Sequence, residues 1–419
     1  MVEEASDSDH VYDEAAGKQH RYELDVLTSI IVFGLLFFHT ASIFSGQQLI
    51  INKAQGQAAT LLASLVVSFE YIWIMPVMMC IAGIAAWYSL NRRTPGQFLR
   101  ERLIRLGIPF LIGLVLANPP QVYYYLKANA GLSSGFLSFY RQFWNIKFSL
   151  QSFPYFLEPA GSEETFSVIL LWFLIFLLVY TLLLLPIFLF MKKTAGDRLR
   201  TSLSGFFAKR FALFLWAIPI ALLEAFQGAI WPSGWNRWIW PFIILFGYLS
   251  AGDYRLTTAF VRHRITALVA GLIGFFIFFM GMGMLFGLGI DPWSGMEKPA
   301  IILRLIKGIT SWCLTVAVMG IVTRLGQKIK EARKKHDRIT PWHRLVAYCR
   351  EAQLPVYVLH QTPIIVIGYY VVGENWPALG KFLIIFLGSL ILTLMVYELL
   401  IRRIGVLRLL FGMRHNWSE

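Results

Sequence analysis

Residues 24–44 read LDVLTSIIVFGLLFFHTASIF. Beyond Asp25 the only ionisable group in that run is His39, and the run has the length of about twenty residues that a helix needs to cross the hydrocarbon of a bilayer. Nine more runs of the same kind follow, at Leu61–Leu90, Leu106–Leu126, Val168–Met191, Phe211–Gln227, Trp238–Ser250, Ile265–Leu288, Ala300–Val322, Cys349–Val371 and Leu379–Ile401. The sixth is short and rich in Trp. The reading is an all-α polytopic membrane protein of about ten transmembrane helices. Composition agrees: of 419 residues 57% are hydrophobic and only 15% charged, with a mean hydropathy of +0.59. A soluble domain carries about a quarter charged residues to solvate its surface. Soluble enzyme, nucleic-acid-binding protein and disordered scaffold are excluded for the whole chain.

The net charge of +14 has a simple source in such a protein. With the N-terminus inside, 29 of the 38 Lys and Arg fall on cytoplasmic segments, as the positive-inside bias requires. Both termini are then cytoplasmic. Residues 1–20 are acidic and lack the basic start of a signal peptide, so they are read as a disordered cytoplasmic tail. Residues 21–405 form a single transmembrane domain, and 406–419 a short basic tail. Cys80, Cys313 and Cys349 form no CxxC pair, which excludes a disulfide framework and a cysteine-held zinc. No metal and no tightly bound cofactor is expected. One extracytoplasmic segment, residues 127–167, is long and crowded with aromatics, among them Phe136, Phe139, Phe143, Phe153 and Phe156. It reads as an interfacial belt, or as a platform for stacking sugar rings with Glu158, Glu163 and Glu164 nearby. The glycines of the seventh span, Gly271, Gly274, Gly281, Gly283 and Gly287, suit close helix packing.

An ionisable group inside hydrocarbon costs several kcal/mol, so each one is a candidate for function. His39 lies roughly 22 Å along the first span at 1.5 Å per residue, in the outer half of the membrane. His360 and Glu70 lie near mid-depth, and Glu224 in the outer half of the fifth span. Glu398 pairs more simply with Arg402 one turn on. A neutral imidazole at such a site can take a proton from an alcohol. It serves equally in a proton relay for transport. Pro95 can open a helix that places Arg102 and Arg105 three residues apart at a cytoplasmic mouth. Two guanidinium forks there suit a phosphate-bearing ligand.

Several stretches together resemble acyltransferase family 3 membrane proteins, most closely their glucan-biosynthesis branch. They are Arg21-Tyr-Glu-Leu-Asp25 running to Phe37-Phe-His-Thr40, and Met75-Pro76 through Ala82-Gly83 to Trp87. Pro95-Gly-Gln-Phe-Leu-Arg-Glu-Arg-Leu-Ile-Arg105, Pro109-Phe110, Asn118-Pro-Pro-Gln-Val-Tyr123, Leu171-Trp-Phe-Leu174 and residues 351–363 complete the set. The resemblance spans residues 21–405.

It implies a ten-helix enzyme of the inner (cytoplasmic) membrane that passes an acyl group, of the acetyl or succinyl class, from cytoplasmic acyl-CoA to a hydroxyl of an extracytoplasmic carbohydrate or glycan. His39 matches the histidine that activates the acceptor hydroxyl, with Glu70 expected to orient it. Arg102 and Arg105 match the donor-side Arg-x-x-Arg pair. His360, Trp73 and Tyr357 are expected to line the acceptor path. Acyl-CoA, the carbohydrate acceptor and membrane lipid are the expected partners, and nucleic acid is not one. Two positions depart from the family pattern. Thr28 stands where an arginine is common, and Leu170 where a histidine usually precedes Leu-Trp-Phe-Leu. A glycan or lipid transporter or flippase that makes no bond is the competing class.

Overall fold

The computed structural model describes residues 21–46, 51, 56–161, 165–168, 171–227, 234–333 and 341–413. Helices α1 (Tyr22–Phe44) and α2 (Gln57–Leu90) are continuous. Next, α3 (Pro95–Leu116) bends by 43° into α4 (Asn118–Asn129). A short helix α5 (Phe136–Phe143) then leads to a hairpin of β1 (Ile146–Phe148) and β2 (Leu157–Pro159), with Lys147 opposite Glu158. Helix α6 (Trp172–Leu183) bends by 45° into α7 (Leu185–Met191). Helix α8 (Thr194–Phe207) turns through 114° into a 3-10 turn, Ala212–Trp216, and α9 (Ala217–Gln227). The chain continues as α10 (Ile239–Ala251), α11 (Tyr254–Gly287) and α12 (Lys298–Arg333). Helix α13 (Pro341–Leu359) bends by 52° into α14 (Gln361–Val371), followed by α15 (Ala378–Val396) and α16 (Gly405–Leu410).

Five of these helices are long and apolar enough to cross a membrane, and nine crossings result if each bent pair is one span. The all-α, multi-pass architecture read from the sequence is therefore present. The uniform rods are not. Three of the expected spans are interrupted, each just before proline, and a fourth bend precedes the expected fifth span. Proline lacks the N–H that the preceding turn would bond and clashes with its carbonyl. The expected start at Phe211 is displaced, because Phe211 sits at a positive φ of 62° and the helix forms only beyond it. Helix α10 has 13 residues, too few to cross alone. Residues 406–413, read as the start of a tail, include buried Phe411 and Met413, with Gly412 set against the carbonyl of Arg105. The N-terminal 1–20 and residues 414–419 lie outside the described residues.

Close backbone approach holds α10 despite its length. A Cβ on Gly247 would stand 2.0 Å from the Cys80 carbonyl oxygen, and one on Gly83 1.9 Å from that of Ile244. The two helices thus meet backbone to backbone, as small residues allow in membranes. Gly271, Gly274 and Gly281 of α11 likewise face Leu314, Thr310 and Leu303 of α12, as expected. Gly283 and Gly287 meet nothing within 4 Å and do not belong to that surface. In the aromatic segment, Phe139 and Phe143 are fully buried, so these two are core rather than platform. Gly247→Leu is expected to destabilise the detergent-solubilised protein by on the order of 3 kcal/mol, the upper range for overpacking. Gly283→Leu should be neutral, and size-exclusion yield with melting temperature compares the two.

Candidate active site

The α3/α4 and α13/α14 interruptions lie side by side. Pro119 and Pro120 cannot donate to the carbonyls one turn before them, nor can Pro363. In apolar surroundings the freed groups must find other partners. The Tyr140 hydroxyl donates to Val115 O at 3.4 Å. Across the two breaks, Thr362 Oγ1 donates to Ala117 O at 3.0 Å and accepts from Gln121 Nε2 at 2.9 Å. These bonds lock one bend against the other.

His360 occupies the second break. Its Nδ1 lies 2.9 Å from both Val356 O and Tyr357 O. Carbonyl oxygens only accept, so Nδ1 carries the proton and Nε2 is left as a bare acceptor. That Nε2 is buried and has no partner among the described residues. The ring of His39, delivered by α1, lies 5.4 Å from that of His360, at 43°. The two histidines therefore share one level, although their sequence positions suggested different depths. The Tyr357 ring follows at 6.1 Å from His360 and stands 5.8 Å from Phe173. An imidazole locked in one tautomer beside a second imidazole is an arrangement suited to moving a proton.

Glu70 does not join this group. No hydrogen bond or ion pair links it to His39 among the described residues, and its Oε2 is buried without a partner. Trp73, one turn along α2, likewise leaves Nε1 without a partner. The neighbour expected for His39 was Glu70, and the neighbour found is His360. An imidazole at a helix break is presented by the backbone irregularity itself, which spacing along α2 does not reveal.

The arginines sit at the start of α3. Thr94 caps this helix in a reciprocal capping box with Gln97, and Pro95 takes the first turn as expected. Arg102 ends the first stretch, and residues 103–107 form a wider π-helical turn that carries Arg105. Arg105 reaches Glu101 at 3.4 Å, and Arg93 reaches the same carboxylate at 3.2 Å. Arg102 lies over the Phe98 ring at 5.0 Å and makes no ion pair among the described residues. Its Nε is buried and unpartnered, so of the two it keeps donors open for an anion. At the family's variant position, Thr28 bonds back to Leu24 O at 2.8 Å. Leu170, Glu163 and Glu164 lie outside the described residues. Glu158 is engaged by Ser152 at 2.8 Å and Lys147 at 3.3 Å. The Ser152 hydroxyl, then Ser149 and Lys147, hold this carboxyl below its usual range. No group of three or more His, Cys, Asp and Glu among the described residues is placed to hold a metal.

A bundle of apolar helices of this kind is identified as an integral membrane acyltransferase by the comparisons with known proteins. A family model described as an acyltransferase domain matches residues 21–398, and the chain belongs to that family. The chain is similar to glucans biosynthesis protein C of Escherichia coli O17:K52:H18 (strain UMN026 / ExPEC), 22% identical over 410 residues, with 94% of each chain covered. The protein of that name from Escherichia coli strain K12 matches at the same identity and coverage. No solved structure matches.

A second buried polar cluster escaped sequence reasoning except for Glu224. Lys307 Nζ in α12 pairs with Glu224 Oε2 at 2.7 Å, both residues fully buried. The ammonium also donates to Gly234 O at 3.1 Å and faces the rings of Trp235, Trp293 and Tyr71 at 4.1, 5.3 and 5.5 Å. Arg304, one turn before Lys307, donates to the carbonyls of Glu224, Ala225 and Pro292. Glu224 Oε1 accepts from Asn236 N at 2.7 Å. Charged residues inside the apolar run Ala300–Val322 were the available signal. Every charge here is matched, so the cluster ties α9, α12 and the start of α10 together. Lys307→Met should cost roughly 3–5 kcal/mol by stranding the Glu224 carboxylate. The double variant with Glu224→Gln should recover much of that loss in melting temperature.

Proposed function

We propose that the enzyme transfers an acetyl- or succinyl-class acyl group from cytoplasmic acyl-CoA to a hydroxyl of an extracytoplasmic carbohydrate, a glucan being the acceptor that its relatives' name suggests. The observation that carries this reading is the His39–His360 ring pair. In the proposed arrangement ten spans cross the inner membrane with both termini in the cytoplasm. The donor's phosphates rest on Arg102, whose open guanidinium offers a bidentate contact. Arg105, shared with Glu101, contributes less.

His39 serves as general base. It takes the proton of the acceptor hydroxyl as that oxygen attacks the thioester carbonyl. The tetrahedral intermediate collapses by breaking the C–S bond, and the CoA thiolate leaves, drawing the proton back from the imidazolium. One ester forms, one thioester breaks, and the base is regenerated. His360 is the positioning residue in place of Glu70: its bare Nε2 can accept an N–H from His39 and so keep the other ring nitrogen free for the hydroxyl.

His39→Ala should lower turnover roughly 10²–10⁴-fold, the span of a general base, with melting temperature little changed. Single-turnover acyl transfer and a thermal melt on one preparation test it, and a stable, fully active variant overturns the assignment. Arg102→Ala should raise the KM for acyl-CoA by roughly 10–100-fold, as loss of a charged hydrogen bond of about 1.5–3 kcal/mol implies, and Arg105→Ala by less. Equal donor KM values in wild type and Arg102→Ala would remove Arg102 from the donor site.

A further inference from the structure

The two locked bends leave four buried polar atoms without a partner among the described residues: Asn118 Oδ1, Gln121 Oε1, Gln361 Oε1 and His360 Nε2. All four residues are at most 2% exposed. They belong to one junction. Asn118 and Gln121 are one turn apart on α4, and Gln121 is bonded to Thr362, the next residue after Gln361 and His360.

The identities of three of the open atoms are forced by their neighbours. The Asn118 amide nitrogen donates to the Ser167 carbonyl, which can only accept, so its oxygen is the free end. The single proton of the Thr362 hydroxyl goes to Ala117 O, so the hydroxyl must accept from the Gln121 nitrogen, and the Gln121 oxygen is free. His360 spends its N–H on two backbone carbonyls. What remains open is an acceptor on each of the four residues, together with the spare N–H groups of the three carboxamides, a mixture that sugar hydroxyls, which both donate and accept, can meet. A buried polar atom left unsatisfied costs about 1–3 kcal/mol, so four acceptors at one junction mark a place built to receive hydrogen donors.

We propose that this junction is the acceptor subsite, in which Asn118, Gln121 and Gln361 bind the hydroxyl groups of one sugar unit while His360 Nε2 is kept for His39. The proposal rests on the acyltransferase reading above and adds the residues that select the acceptor. A pantetheine arm also carries N–H donors, but they are spread along a chain. A sugar ring offers several hydroxyls from one compact unit, which matches a cluster of acceptors better. The subsite adjoins His39 through His360, so a hydroxyl held here is presented to the base.

The test uses the full-length purified protein with a glucan oligosaccharide as acceptor probe and whichever of acetyl-CoA or succinyl-CoA it consumes. Asn118→Leu, Gln121→Met and Gln361→Met are compared with wild type. Each should raise the KM for the oligosaccharide about tenfold or more, the equivalent of one lost hydrogen bond to a buried acceptor, with the KM for acyl-CoA unchanged. Gln361 makes no described hydrogen bond, so its variant keeps the test open if loss of the Gln121 brace prevents folding. A shift in acyl-CoA KM in place of acceptor KM would overturn the proposal in favour of the donor arm. Unchanged KM values in variants that merely melt earlier would reduce the cluster to a brace. If wild type transfers nothing to the oligosaccharide, quenching of tryptophan fluorescence by the same probe decides separately. Weaker binding in the variants upholds the subsite while the proposed reaction fails, and identical or absent binding overturns it.

Discussion

A helix interrupted inside hydrocarbon must find new partners for the backbone groups it frees, because no water is there to take them. Much of this protein follows from that constraint. Pro119, Pro120 and Pro363 interrupt two helices, and a single side chain, Thr362, spans from one break to the other. The bends are then relative to one another and not merely local kinks. His360 sits in the second break, and the carbonyls of its own helix decide which ring nitrogen holds the proton. Helix α1 brings His39 to the same level. The geometry of the proposed reaction is thus set by how the backbone was satisfied.

Buried polar residues here separate into two kinds. Glu224, Lys307 and Arg304 are matched to each other, to carbonyls and to aromatic faces. Such a cluster holds helices together at the cost of desolvating its charges, and removing one partner is worse than removing both. His360, Asn118, Gln121 and Gln361 instead retain open acceptors beside the histidine pair. Arg102 shows the same contrast near the start of α3. It remains without an ion pair among the described residues while Glu101 occupies Arg93 and Arg105. An open valence in a low-dielectric site is expensive, so its presence points to a ligand, whereas a closed one points to architecture.

The amino-acid sequence by itself determined the membrane class, the approximate limits of most spans, the helix start at Pro95 and the family, because apolar run length, first-turn proline and motif order are local properties of the chain. It also singled out His39, His360 and Arg102 as polar groups in costly places. Tertiary structure alone decided how these combine. Among the described residues Glu70 makes no hydrogen bond to His39, whereas the ring of His360 lies beside it. Lys307 passed unnoticed until it lay against Glu224, since a charge within an apolar run acquires meaning only from the helix it faces. The bends, the short α10 held by Gly83 and Gly247, and the open acceptors at the double break all depend on contacts between segments far apart in sequence. Hydropathy measures whether a segment can enter the membrane. Which of its polar atoms are satisfied there is settled only by its neighbours.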